Sequence, residues 1–183
     1  MLVDAAKKVV LERCRLVDCP LVLVSGADAE LKDAEFTQGD RSAYRCYVIA
    51  SGEDTVMSMH GGKITGGTIG AAIYCGATVS LTEVAIEQIS VSGVEGQDAD
   101  TRVNLSSCTF RNFLNSCRAR THAVHVYAGS SMHLAKVHIQ GVDHIDFGVL
   151  VHAKASLCMC ECTIKDTKVC GAEIAGGGTG ELT

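Results

Sequence analysis

Gly148-Val-Leu-Val-His-Ala-Lys-Ala-Ser-Leu-Cys-Met-Cys-Glu-Cys-Thr-Ile164 contains the two elements from which the chain is built. The first is a Gly or small residue followed by an alternating apolar run, here Gly148-Val-Leu-Val151. The second is a Leu or Met, two residues, a small or β-branched residue, one residue, and a β-branched or aromatic residue. Here it reads Met159-x-x-Cys162-x-Ile164. Working back along the chain, the same pattern begins at Leu134, Leu105, Leu81, Met59, Leu31 and Leu11, in steps of 20 to 29 residues. The first element recurs as Tyr47-Val-Ile49, Gly70-Ala-Ala-Ile73, Ala123-Val-His-Val126 and Gly171-Ala-Glu-Ile174. Turns such as Ser25-Gly26, Cys75-Gly76 and Ala128-Gly129 follow it. A regular period with variable insertions is the mark of a repeat architecture.

The period contains several short β-type runs with corners between them and no helical spacing. One such unit cannot bury its apolar face alone. Units stacked at the interstrand distance of about 4.8 Å would form continuous parallel sheets around a narrow core. The residues available suit that core, since the chain lacks Trp and has only four Phe and four Tyr. Val, Ile, Leu, Ala and Cys must fill the interior. Cys14, Cys108 and Cys162 share a repeat column with Ala34, Gly62, Val84 and Val137. They are therefore expected to act as small buried thiols rather than a disulfide framework. Leu16, Phe36, Ile64, Ile86, Phe110, Ile139 and Ile164 are expected to stack beside them.

The matching segments, typified by Gly148-Val-Leu-Val…Leu157-Cys-Met-Cys-Glu-Cys-Thr-Ile164, make the chain resemble the right-handed parallel β-helix repeat proteins, the pectate-lyase-like superfamily. The resemblance extends over roughly residues 9–182 and lies at the level of the fold. The expected fold class is all-β, a right-handed parallel β-helix (β-solenoid) of about seven coils. Residues 1–8 are expected to form a short N-terminal cap, with Leu2 and Val3 on the first coil, and 9–183 a single β-helix domain. Gly93-Val-Glu-Gly-Gln-Asp-Ala-Asp100 reads as a polar corner of the fourth coil, whose middle strand the pattern does not place. The longest steps locate insertions at 38–46 and 112–122, both after the same repeat strand. They are expected to emerge on one side of the rod, with Arg118 and Arg120 offering a contact for an acidic group.

The formal charge is −5 with no basic stripe, which argues against nucleic acid. No apolar run approaches the roughly 18 residues of a membrane span. Met1-Leu-Val-Asp-Ala-Ala-Lys-Lys is too charged for a secretory signal. An intracellular, cytoplasmic placement is expected unless a leader precedes this sequence.

The resemblance implies that an enzyme of this type would carry acids, with Lys or Arg nearby, on outward side chains of one sheet. Sugar-ring chemistry needs a base and a charge stabiliser, and glycoside hydrolysis needs two carboxylates. The outward ladder Arg15, Glu35, Lys63, Ala85, Thr109, His138 and Thr163 has no paired acids. Asp98, Asp100 and Arg102, and Asp143, His144 and Asp146, gather acids at corners, where polar residues are usual. No catalytic residue, cofactor or resident metal is therefore assigned. Aligning Val126 with Val151 sets His125 beside Leu150 and Tyr127 beside His152, all pointing outward. The two outward columns are read as Val22, Val48, Ala72, His125 and Leu150, then Val24, Ala50, Tyr74, Tyr127 and His152. A face this apolar is expected to dock a protein, either a second copy or a different chain. The candidate binding residues are Val22, Val48, Tyr74, His125, Tyr127, Leu150, His152, Arg118 and Arg120. The alternative is a carbohydrate-active enzyme, a lyase, epimerase or hydrolase, with a polysaccharide as partner.

Overall fold

Each repeat unit closes one turn of a parallel β-solenoid, and about seven turns stack along the rod. The computed structural model describes residues 1–4, 8–38, 46–114, 120–141 and 144–183, and these contain strands and no helix. One sheet of eight strands forms the first face. Its order is Leu2–Asp4, Leu21–Val24, Cys46–Ser51, Ile69–Tyr74, Ser92–Gly96, His122–Val126, Phe147–Val151 and Cys170–Ile174. A sheet of thirteen strands bends to make the other two faces. The second face includes Lys8–Glu12, Thr78–Thr82, Arg102–Ser106, Ser131–Ala135, Ser156–Cys160 and Thr179–Leu182. The third includes Arg15–Val17, Ala85–Glu87, Thr109–Arg111, His138–Gln140 and Thr163–Lys165. The long strands Asp28–Thr37 and Val56–Thr65 run through the bend between them.

The bend explains the spacing of the sequence pattern. The residue two after each pattern Leu lies in the left-handed region: Arg13, Asp33, Glu83, Ser107, Lys136 and Glu161 have φ of 49–58°. Gly61 takes that place in the third coil. An L-residue pays a steric penalty there, since Cβ crowds the carbonyl oxygen. The interstrand hydrogen bonds continue through the corner and offset it. Glu83 N–H donates to Ser106 O at 2.9 Å, and Lys136 N–H to Cys160 O at 2.9 Å.

The register matches the repeat alignment. Leu16, Phe36, Ile64, Ile86, Phe110, Ile139 and Ile164 pair rung to rung down the third face. The five inner rungs are buried, while Leu16 and Ile164 at the ends are half-buried. Cys108 is buried, and Cys14 and Cys162 are half-buried on the first and last rungs. The described cysteines are free thiols. Val3 is buried on the first coil, whereas Leu2 points outward opposite Val22 and is exposed.

The fourth coil differs from its sequence reading. Gly93-Val-Glu-Gly96 belongs to a strand of the first face, in register with both neighbours, and the corner follows it at Asp98 and Asp100. Gly93 serves close packing here. A Cβ on it would come 2.6 Å from Ala123 O and 2.7 Å from the Phe110 ring.

The register also corrects the outward columns in the second coil. Val48 pairs with Leu21 and Ala71 in an inward column, and both Val48 and Ala50 are fully buried. Ile49 and Ser51 take the outward positions. The cause is two successive inward residues in strands of this face, such as Tyr47 and Val48, or Ala123 and Val124. Strict alternation fails at that point, and counting by twos from Tyr47 slips by one.

Candidate functional site

Three outward columns cover the first face. They are Cys46, Ile69, Ser92, His122, Phe147 and Cys170, then Val22, Ile49, Ala72, Glu95, His125, Leu150 and Glu173. The third begins Val24, Ser51, Tyr74 and continues through Gln97, Tyr127 and His152, on the coils that bear Gly96, Val126 and Val151. From Val22 to Leu150 the only formally charged side chain in these columns is Glu95. The other two faces carry Lys8, Glu30, Lys32, Arg102, Lys63, Glu35 and Arg111 among their outward residues. None of the described outward residues of the first face from Val22 to His152 is fully exposed.

The fifth and sixth coils bring an aromatic cluster to this face. His125 lies opposite Leu150 in the ladder, and the Tyr127 and His152 rings stack at 5.5 Å. The His125 ring stacks on His122 at 4.8 Å and on Tyr127 at 4.4 Å. The Nε2 atoms of His125 and His152 are 2.8 Å apart. On its other edge, His125 Nδ1 is 4.0 Å from Glu95 Oε1, and both side chains are only about one-seventh exposed, at 15% and 13%. Tyr127 donates its hydroxyl to Gln97 Oε1 at 2.7 Å.

Desolvation sets the charge state of the cluster. Burial, with repulsion from His125 behind it, lowers the His122 imidazole to about 4. Burial and then His125 also lower His152. Burial and then the Glu95 carboxylate raise the Tyr127 phenol. Burial pushes the Cys46 thiol up to about 12, which removes it as a ready nucleophile. His122 Nδ1 is buried without a hydrogen-bond partner among the described residues. His122 and His152 are thus held neutral around pH 7.

The structure brings Tyr74, His125, Tyr127, Leu150 and His152 onto one face with Val22 at its far end, and removes Val48 from it. Arg120 lies over the same face, its guanidinium 5.5 Å from the centre of the Phe147 ring in a cation–π contact. Arg118 lies outside the described residues, as do most of the insertions at 38–46 and 112–122, so their common side is not placed. At the described start of the second insertion, Phe113 is buried and Leu114 N–H donates to Ile89 O at 2.9 Å. Asp98 and Asp146 have structural partners, and Asp143 lies outside the described residues. Asp98 Oδ2 accepts from Cys75 N–H at 3.3 Å, and Asp146 Oδ2 from Thr121 N–H at 2.9 Å. Glu95, Gln97 and Ile49 belong to the face and were missed by the sequence reading. The signal for Glu95 was the apolar alternation Val94-x-Gly96, hidden between two glycines.

A second concavity, of about 490 Å³, lies on the second face. Arg102, Asn104, Ser131, His133, Cys158 and Glu181 are among its lining residues. No protein-family model, curated protein or solved structure matches this chain.

Proposed function

We propose that this chain is a non-catalytic binding and scaffold module that docks a protein through the first face of its solenoid. The observation that carries the reading is the segregation of charge. The second and third faces bear mixed charged ladders, and the first presents Val22, Ile49, Tyr74, Tyr127, Leu150 and His152 around one carboxylate. Apolar area removed from water contributes about 25 cal/mol per Å², so a few such side chains supply several kcal/mol before association costs. Tyr on a flat, self-supported surface is a good anchor because little side-chain freedom remains to be lost.

The test is site-specific photo-crosslinking. A photoreactive residue at Leu150 should trap a protein, either another copy or a different chain, whereas the same residue at Ser80 on the second face should not. Tyr127→Glu should abolish the adduct while leaving the circular dichroism spectrum unchanged, because this side chain points away from the core. Equal labelling from Leu150 and Ser80 would remove the docking reading. Sedimentation across a wide concentration range then separates self-association from a heterologous partner.

The groove on the second face favours a second reading, a carbohydrate-active enzyme. A cavity of about 490 Å³ with Arg102, Asn104, His133 and Glu181 has the size and polarity of a ligand site. Its lining holds one carboxylate where glycoside hydrolysis needs two, which places this reading behind the first. Sustained turnover of an acidic polysaccharide by the purified chain would overturn the non-catalytic reading.

A further inference from the structure

We propose that His125 and His152 form a two-imidazole site for a divalent transition metal of tetragonal preference, the class of Ni2+ and Cu2+. The inference rests on the geometry of the pair and not on the docking reading.

Two Nε2 atoms facing each other at 2.8 Å is an uncommon arrangement for surface side chains on different coils. With metal–nitrogen bonds of about 2.0–2.1 Å, ligands at a right angle have their nitrogens about 2.9 Å apart, and tetrahedral ligands about 3.3–3.4 Å. The observed separation, an ordinary hydrogen-bond length in the metal-free protein, lies beside the right-angle value, so square-planar or octahedral ions need the smaller movement of the two rings. In the metal-free protein one ring donates a hydrogen bond to the other across the same gap.

The surroundings prepare His125 as a ligand. Glu95 Oε1, 4.0 Å from His125 Nδ1, favours electrostatically the tautomer with the proton on Nδ1 and the lone pair on Nε2. His152 Nε2 then donates the bridging hydrogen bond, and a metal ion would take the place of that proton. His122 and Tyr127 stack on the His125 ring at 4.8 and 4.4 Å and fix its plane. Tyr127 is itself held by Gln97 at 2.7 Å. Among the described residues no group of three or more His, Cys, Asp or Glu side chains converges as a metal site. The site is therefore an open one, with two protein ligands and the remaining positions left to water or to an incoming donor.

The probe is Ni2+ alone, added to the full chain in the presence of a phosphine reductant that keeps thiols reduced. Calorimetry should show a site that His125→Ala and His152→Ala each weaken by about tenfold or more. Glu95→Gln should weaken it less, by removing the orienting carboxylate. His138→Ala, on the third face, should leave the isotherm unchanged. In histidine-labelled wild-type protein, the ring resonances of His125 and His152 should broaden first as Ni2+ is added. That measurement needs no variant, so it decides the matter even if a substitution unfolds the chain. Earlier broadening at another histidine, or an unchanged isotherm for folded His152→Ala, would overturn the proposal.

Discussion

Ile139 is the clearest test of the packing at the residue scale. It is 2% exposed and lies between Phe110 and Ile164 in the third-face ladder. The rungs above and below are fixed by backbone pairing, so the ladder cannot collapse into a hole. Ile139→Ala should cost about 2–5 kcal/mol in urea unfolding. His122 makes a second prediction, in pH. Its imidazole takes a proton near 6.5 in the unfolded chain and only at about 4 in the folded one. Between those values the unfolded state binds more protons, so stability falls as the pH drops through that window and levels off below it. The loss is at most about 3 kcal/mol, given roughly 1.4 kcal/mol per pH unit. His122→Phe should flatten the dependence of the urea midpoint between pH 7 and pH 4. The sequence shows why some residues of this face were legible and others were not. His125, Tyr127, Leu150 and His152 follow from aligning Val126 with Val151, because both strands share the same spacing from Gly or Ala to the final Val. Val48 was placed outward because alternation was assumed through Tyr47 and Val48, where the backbone turns two successive side chains inward.

A coil is the smallest element in which local strain and its compensation meet. On the third face, Glu87 reaches between two cations, Lys63 Nζ at 3.1 Å and Arg111 Nε at 2.7 Å. Its side chain is 7% exposed. Burial alone raises a carboxyl group of this kind, but the hydrogen bonds from Arg111 and Lys63 outweigh it and hold the carboxyl below its ordinary value. Arg111→Ala leaves a buried carboxylate with one partner and should cost about 1–3 kcal/mol, read from the urea midpoint at pH 7. A drop in pH below the carboxylate range should shrink the difference between variant and wild type, since protonated Glu87 no longer needs the guanidinium. Half of this three-residue bridge is legible in the sequence. Glu87 and Arg111 follow Ile86 and Phe110 by one position and pair in register, whereas Lys63 pairs with Ala85, two positions before Glu87, and falls in a different column of the pattern. Gly93 was misread for a related reason. Glycine near a polar run looks like a corner, but here it is the only residue that leaves room for Ala123 O and the Phe110 ring. The corner at the left-handed residue two after each Leu recurs coil after coil in the structure.

At the scale of the whole molecule, the three faces divide labour by composition. The core is one continuous apolar strip running the length of the rod. The charged ladders keep two faces wet, and the first face holds the aromatic cluster. The described cysteines add no covalent ties, so the melting temperature should be the same with and without reductant. The recurring corner has a broader consequence. Leu134 and Met159 pair across one step, as do Ala135 and Cys160. Equivalent positions are thus related by translation along the axis, and the rod behaves as a short one-dimensional crystal with the coil as its lattice spacing. A crystal tolerates the loss of a whole unit cell far better than a fraction of one. Joining Leu134 directly to Cys160 removes one such cell, and the product should still unfold cooperatively, shorter by about 4.8 Å. Deleting half that length should instead misalign every ladder beyond the cut and leave the chain unfolded. The length of this molecule is therefore quantised, and changes in it are open to the chain only in integer steps.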